Sequence, residues 1–150
     1  MRKYLLILIF ALSILFCACS KNPFSTPEPK IDQIIETNNS QNDCYTYLIV
    51  HGGELKNPKI YETRGESMLP FITPNSFEIV DKKFPYENLQ IGDVVVFKYI
   101  GLNVNHILIR KTAKGWETWG INNAIKDDNV MNKSSYEGKV IILFKNKSGS

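Results

Sequence analysis

Few side chains in this sequence could do chemistry, and one of them stands in a constrained turn. Ser67 lies in Gly65-Glu66-Ser67-Met68-Leu69-Pro70, a hydroxyl held between a glycine and a proline-terminated apolar step. Gly65 permits backbone conformations and close approaches that other residues cannot make. Such a turn can aim a hydroxyl outward and set backbone N–H groups beside it, as an oxyanion hole requires. Gly-x-Ser alone occurs in many ordinary turns, so the hydroxyl needs partners. A serine becomes a useful nucleophile when a nearby base takes its proton, and an imidazole, nearly neutral at pH 7, suits the task. That base must itself be oriented by a carboxylate or a carbonyl. The chain offers two histidines. His51, just before Gly52-Gly53, reads as a surface residue at a strand end. His106 lies in a β-type run beside Asn103, Asn105 and Arg110, where a polar position on a half-buried strand is the plainer explanation. Two histidines and no CxxC leave few metal options; no metal and no cofactor are expected.

The elements that must position these groups read as strands. Tyr45–His51, Lys59–Thr63, Phe77–Val80, Asp93–Ile100, Val104–Arg110, Trp116–Trp119 and Lys139–Phe144 are rich in Val, Ile, Phe, Tyr and Trp, which favour a pleated surface. Gly52-Gly53, Pro74-Asn75, Gly92-Asp93, Gly101-Leu102-Asn103 and Lys114-Gly115 punctuate them. No long stretch after Asp43 keeps an apolar 3.6-residue period, so helices should be short. The fold class is therefore mainly β, a small and mostly antiparallel sheet domain over residues 45–146 with short helical turns, followed by a tail at 147–150. Residues 20–44 are rich in Lys, Asn, Ser, Thr, Pro and Gln and read as a flexible polar linker, with at most one helical turn at Ile31–Glu36. Trp116 and Trp119 should pack on the sheet. The lone thiol of Cys44 reads as a packing residue rather than a nucleophile, since nothing nearby would lower its pKa.

Five short motifs in order narrow the reading. After the Ser67 box come Gly92-Asp93-Val94-Val95-Val96-Phe97, His106-Ile107-Leu108-Ile109, Trp119-Gly120-Ile121-Asn122-Asn123 running to Asp127-Asp128, and Glu137-Gly138-Lys139-Val140-Ile141. In order and spacing, residues 58–145 resemble the type I signal peptidase family and its relatives, the self-cleaving SOS-type repressors. The resemblance implies a coiled antiparallel β-domain with Ser67 as nucleophile. His106 falls where bacterial members carry a lysine base and the endoplasmic-reticulum and archaeal members carry histidine. Asp127 matches the acidic residue that supports that histidine, with Asp128 one position away. Met68 and Pro70 match residues that shape the turn. Gly65 falls where some bacterial enzymes place a serine hydroxyl in the oxyanion hole, so with Glu66, Met68 and Pro70 it belongs to the substrate and oxyanion region. The missing donor would be the backbone N–H of Ser67 and a neighbour.

Two positions depart from the pattern. Ile121 stands where the family usually has Asp, and Ile107 where it has Arg after the base. Arg110 and Lys111 come slightly later and are not assumed to substitute, and Lys111 as the base would need an offset of about five residues. The function expected is a membrane-tethered serine endopeptidase acting on extended, signal-peptide-like or precursor segments. The alternative is a non-catalytic peptide-binding lipoprotein that kept the groove, with Ile121 as its best support. Self-cleavage, as in the repressors, finds no matching site before Ser67.

The amino terminus supplies an address. Met1-Arg2-Lys3 and the apolar run from Tyr4 to Ala18 suit a signal peptide, being somewhat short for a spanning helix. The run ends in Leu15-Phe16-Cys17-Ala18-Cys19-Ser20, which resembles a bacterial lipoprotein cleavage box with Cys19 lipidated. An uncleaved single-pass anchor is the alternative, and both place the remainder outside the cytoplasm at the cell membrane. Without Arg2 and Lys3 the chain carries 16 basic against 15 acidic residues. On charge grounds no nucleic-acid partner is expected, since phosphate neutralisation needs a clustered basic excess.

Overall fold

The computed structural model describes residues 26–147, and over them the chain is mainly β. The strands are β1 (Gln33–Thr37), β2 (Pro58–Glu62), β3 (Phe77–Asp81), β4 (Val94–Tyr99), β5 (Leu102–Thr112), β6 (Gly115–Trp119), β7 (Val130–Met131) and β8 (Tyr136–Asn146). One helix, α1 (Ser40–His51), and two short 3-10 turns complete the set. The strands form a single sheet in the order β2-β3-β8-β4-β5-β6-β7, with β1 added to β8. All pairings are antiparallel except β1 with β8, where Gln33 faces Ile142 and Thr37 faces Asn146. Six expected strands, from Lys59–Thr63 to Lys139–Phe144, form within three residues of their expected ends.

The long central strand β8 explains the coiling. Its first part pairs with β4 and its later part with β1, while β3 runs along the other side with a register shift between Ile79 and Val80. Alternate residues of β4 consequently enter different cores, as a strand's two-residue period requires. Val94 and Val96 join Met68, Ile72, Val80, Ile107, Val140 and Leu143, whereas Val95 and Phe97 join Leu89, Leu108, Trp116 and Met131. A third cluster is built on Phe77, Ile79, Ile142 and Phe144 and is covered by α1 through Cys44.

Two expectations fail near the amino-terminal end. Tyr45–His51 is helix rather than strand, although Tyr, Leu, Ile and Val suit a pleated surface. Asn39 caps the helix by accepting from the Asn42 N–H at 3.1 Å, and the Ser40 hydroxyl ties it to the Asn75 carbonyl at 2.9 Å. Cys44, Tyr47 and Leu48 then fall on one face against the third cluster, leaving Ile49 and Val50 exposed. Residues 20–44 are likewise not all linker. From Lys30, which bridges Asp93, the chain is part of the sheet, and Gln33–Thr37 is a strand instead of a helical turn. Its alternation is too polar to announce itself, because the partner that makes it a strand is β8, more than a hundred residues away. Cys17, Cys19, the apolar run and residues 148–150 lie outside the described residues. Within those described, no helix is long and apolar enough to cross a membrane.

Candidate active site

Ser67 sits in the turn that follows β2, and its position is fixed from below and from one side. Met68, 1% exposed, plugs the first core, and Ile72 N–H donates to the Met68 carbonyl at 2.9 Å, closing the turn. The Leu69–Pro70 bond is cis. From the side comes the loop after β6. Asn122 donates its backbone N–H to the Ser67 carbonyl at 2.8 Å and its side-chain amide to the Glu66 carbonyl at 3.0 Å. The two segments flanking the site are thus cross-bonded.

His106 lies on β5 on the same face as Val95 and Leu108, its ring 6.1 Å from that of Phe97, and is 6% exposed. Its Nε2 is 3.0 Å from Ser67 Oγ and its Nδ1 is 2.6 Å from Asp127 Oδ2. A carboxylate accepts, so the hydrogen-bond network assigns the ring proton to Nδ1 and leaves Nε2 free to accept from the serine. Asp127 also accepts from the Thr118 hydroxyl at 2.5 Å, while its backbone N–H donates to the Thr118 carbonyl at 3.0 Å. Burial pushes the Asp127 carboxyl up, but the His106 and Thr118 hydrogen bonds and the imidazole charge outweigh it and hold it below the usual range. One position earlier, Lys126 pairs with Glu117 at 2.7 Å, and Glu117 takes a forked pair from Arg110 on β5. The Asp127 loop is therefore pinned to β6 from both sides.

The sequence reading placed Ser67, His106 and Asp127 together, and the fold brings the three into one hydrogen-bonded chain. Asp128 does not join them; its carboxylate accepts from the Tyr99 hydroxyl at 2.7 Å. Gly65 needs correction. Its φ is not positive and a Cβ there would meet no atom within 4 Å, so neither backbone freedom nor crowding demands glycine. What its missing side chain leaves is open space on the groove beside Ser67. The crowded glycine is Gly120, where a Cβ would lie 2.7 Å from His106 Nε2 and 2.8 Å from Ser67 Cβ. The Trp119-Gly120 motif pointed to this loop, but nothing in its composition says that the serine and the imidazole pack on that glycine. Ile121 turns its side chain to the first core, and the carboxylate bonded to His106 is that of Asp127. Lys111 lies over the Trp116 ring at 5.4 Å, away from the serine. His51, at the end of α1, packs on Tyr47 at 4.6 Å. The Cys44 thiol is pushed up to about 12 by burial first and by the Glu78 charge second, which makes it inert at neutral pH.

A groove of about 390 Å³ runs from Ser67 between the end of β2 and the residue after it (Tyr61, Glu62, Thr63) and the start of β5 (Leu102 to Asn105). β2 is an edge strand, and β6 pairs with β5 only from Ile107 onward, so both flanks of the groove carry unpaired backbone. Among the described residues, the Ser67 N–H donates to no backbone or side-chain acceptor. Compared with known proteins, the chain matches no family model and no curated sequence.

Proposed function

We propose that the protein is a serine endopeptidase of the signal peptidase type, tethered at its amino terminus and acting outside the cytoplasm on extended peptide segments. The observation that carries this reading is the continuous chain from Ser67 Oγ through His106 to Asp127. In the first step Ser67 Oγ attacks a peptide carbonyl carbon as His106 Nε2 takes the hydroxyl proton. Asp127 stabilises the imidazolium that forms and fixes the tautomer that made Nε2 a base. The free N–H of Ser67 is a donor for the developing oxyanion. The proton then passes from Nε2 to the leaving amine, the C–N bond breaks, and a water activated by the same nitrogen hydrolyses the acyl-enzyme.

The groove supports an extended substrate. A strand laid between the free edges of β2 and β5 gains main-chain hydrogen bonds while alternate side chains enter the groove. The tether is assigned from the sequence, through lipid on Cys19 or the retained apolar run. The non-catalytic reading loses its main support, because the position of Ile121 does not deprive His106 of a carboxylate.

The test is mass-spectrometric cleavage profiling of signal-peptide-like substrates by the full chain in detergent, beside Ser67→Ala. Cuts made by the wild type and absent with the folded variant establish the peptidase. A folded wild type that cuts nothing in a diverse set, or a variant that cuts equally well, overturns it.

A further inference from the structure

The floor of the groove holds a carboxyl group that the catalytic chain does not use. Glu78, on β3, lines the groove yet is only 1% exposed. Its Oε1 accepts from the Thr63 hydroxyl at 2.5 Å and from the Asn105 side-chain amide. Both donors land on the same oxygen, and among the described residues Oε2 receives none. Among the described residues no lysine or arginine forms an ion pair with it. The basic residue among those lining the groove is Arg64, which is exposed and engaged by Glu62 at 3.0 Å. A buried carboxyl without a counter-ion is costly, so its charge is uncompensated until something enters the groove. The walls leading to it, Tyr61, Val96, Leu102 and Val104, are largely apolar. A long aliphatic stem ending in a cation matches this arrangement, stem against the walls and head on the carboxylate.

We propose that the groove beside Ser67 is a specificity subsite for a lysine or arginine side chain of the substrate, with Glu78 Oε2 as its anionic partner and Thr63 and Asn105 holding the carboxyl in place. This rests on the peptidase reading for its link to cleavage, but its binding content stands separately. Burial pushes Glu78 up to about 7, against the smaller lowering by Thr63 and Asn105, so the free groove carries a full charge only on the alkaline side. The titratable neighbours are Tyr61, opposite Glu78 across β2 and β3, and Cys44 of α1, which feels the Glu78 charge. Beyond them are the Glu62–Arg64 pair at the rim and His106 at the next position of β5.

The experiment uses full-length Ser67→Ala protein in detergent and fluorescent Ala-rich peptides in which lysine, or norleucine as its uncharged counterpart, is scanned through successive positions. At one position near alkaline pH, lysine should bind roughly tenfold to a hundredfold tighter than norleucine, the worth of a charge-assisted hydrogen bond. Glu78→Gln in the same background should bring that ratio close to one. Should Glu78→Gln fail to fold by circular dichroism, the ratio in the parent protein gives the same answer. It should shrink as pH falls below about 7, and effects of His106 common to both peptides cancel. A ratio near one at every position, or a ratio that survives Glu78→Gln or acid, overturns the subsite. Lysine-selective binding in a protein whose wild type never cuts keeps the subsite and discards the peptidase. Cleavage indifferent to lysine does the reverse.

Discussion

Two carboxyl groups are held from neighbouring positions of β5, on its opposite faces, by nearly the same hardware. Asp127 accepts from His106 and a threonine hydroxyl; Glu78 accepts from Asn105 and a threonine hydroxyl. Their proton affinities nonetheless move in opposite directions, Asp127 below its usual range and Glu78 up to about 7. Two neutral donors do not repay the desolvation of a fully buried carboxylate, so Glu78 is pushed toward its neutral form. Asp127 is only partly buried and one of its donors can itself become a cation, which tips the balance toward the charged form. The count of hydrogen bonds is the same; the depth of burial and the chemical identity of one donor together set the sign.

The sharpest way to break this comparison is to make the same carboxyl-to-amide change at both sites. Asp127→Asn should leave a folded protein whose kcat falls by about 10⁴-fold, because the amide no longer favours the tautomer with the proton on Nδ1. A loss below about tenfold would show that Asp127 does not orient the base. Glu78→Gln should instead stabilise the fold, and only where the wild-type carboxyl must ionise. The folded group holds its proton up to about 7 while the unfolded one releases it near 4.5. Wild-type stability therefore declines as pH rises through that window. The variant's advantage in urea should widen by on the order of 3 kcal/mol between acid and alkaline conditions. A constant difference across pH would mean that the burial of Glu78 is relieved in solution. At Asp127 the sign is reversed, since its depressed pKa contributes stability that is lost on acidification.

Smaller effects should come from the scaffolding around Ser67 and His106. Gly120→Ala inserts a methyl group against His106 and Ser67, and displacing either by about 1 Å should lower kcat about 100-fold with little change in KM. Wild-type kinetics in that variant would mean that the loop shifts without disturbing the pair. Smallest of all should be Lys126→Ala, which removes an exposed partner of Glu117 and should cost under about 1 kcal/mol in thermal unfolding.

Legibility in the sequence followed the range of the interactions. Ser67, His106 and Asp127 could be read because each lies in a short motif and the motifs come in a recognisable order. Six strands were readable because their own residues, such as Val94-Val95-Val96-Phe97, carry the β preference. α1 was misread because its composition spoke for a strand while its cap at Asn39 and its one-sided burial spoke for a helix, and only packing arbitrates between them. β1 and Glu78 were invisible for a deeper reason. Gln33–Thr37 is a strand only beside β8, and Glu78 is a buried acid only because coiling brings Asn105 and Thr63 over it. Gly120 was noticed as part of a motif, but its crowding belongs to residues 14 and 53 positions earlier.

The central place of β8 also orders events in time. It is the last of these strands to leave the ribosome, yet β1, β3 and β4 all pair with it. The β4–β5–β6 meander can close from local contacts, but β1 and the β2–β3 hairpin have no place in the sheet until β8 arrives. Contacts so distant along the chain are slow to form. In a nascent chain the segments of β1, β2 and β3 would thus wait as unpaired edges until β8 emerges and joins them to β4.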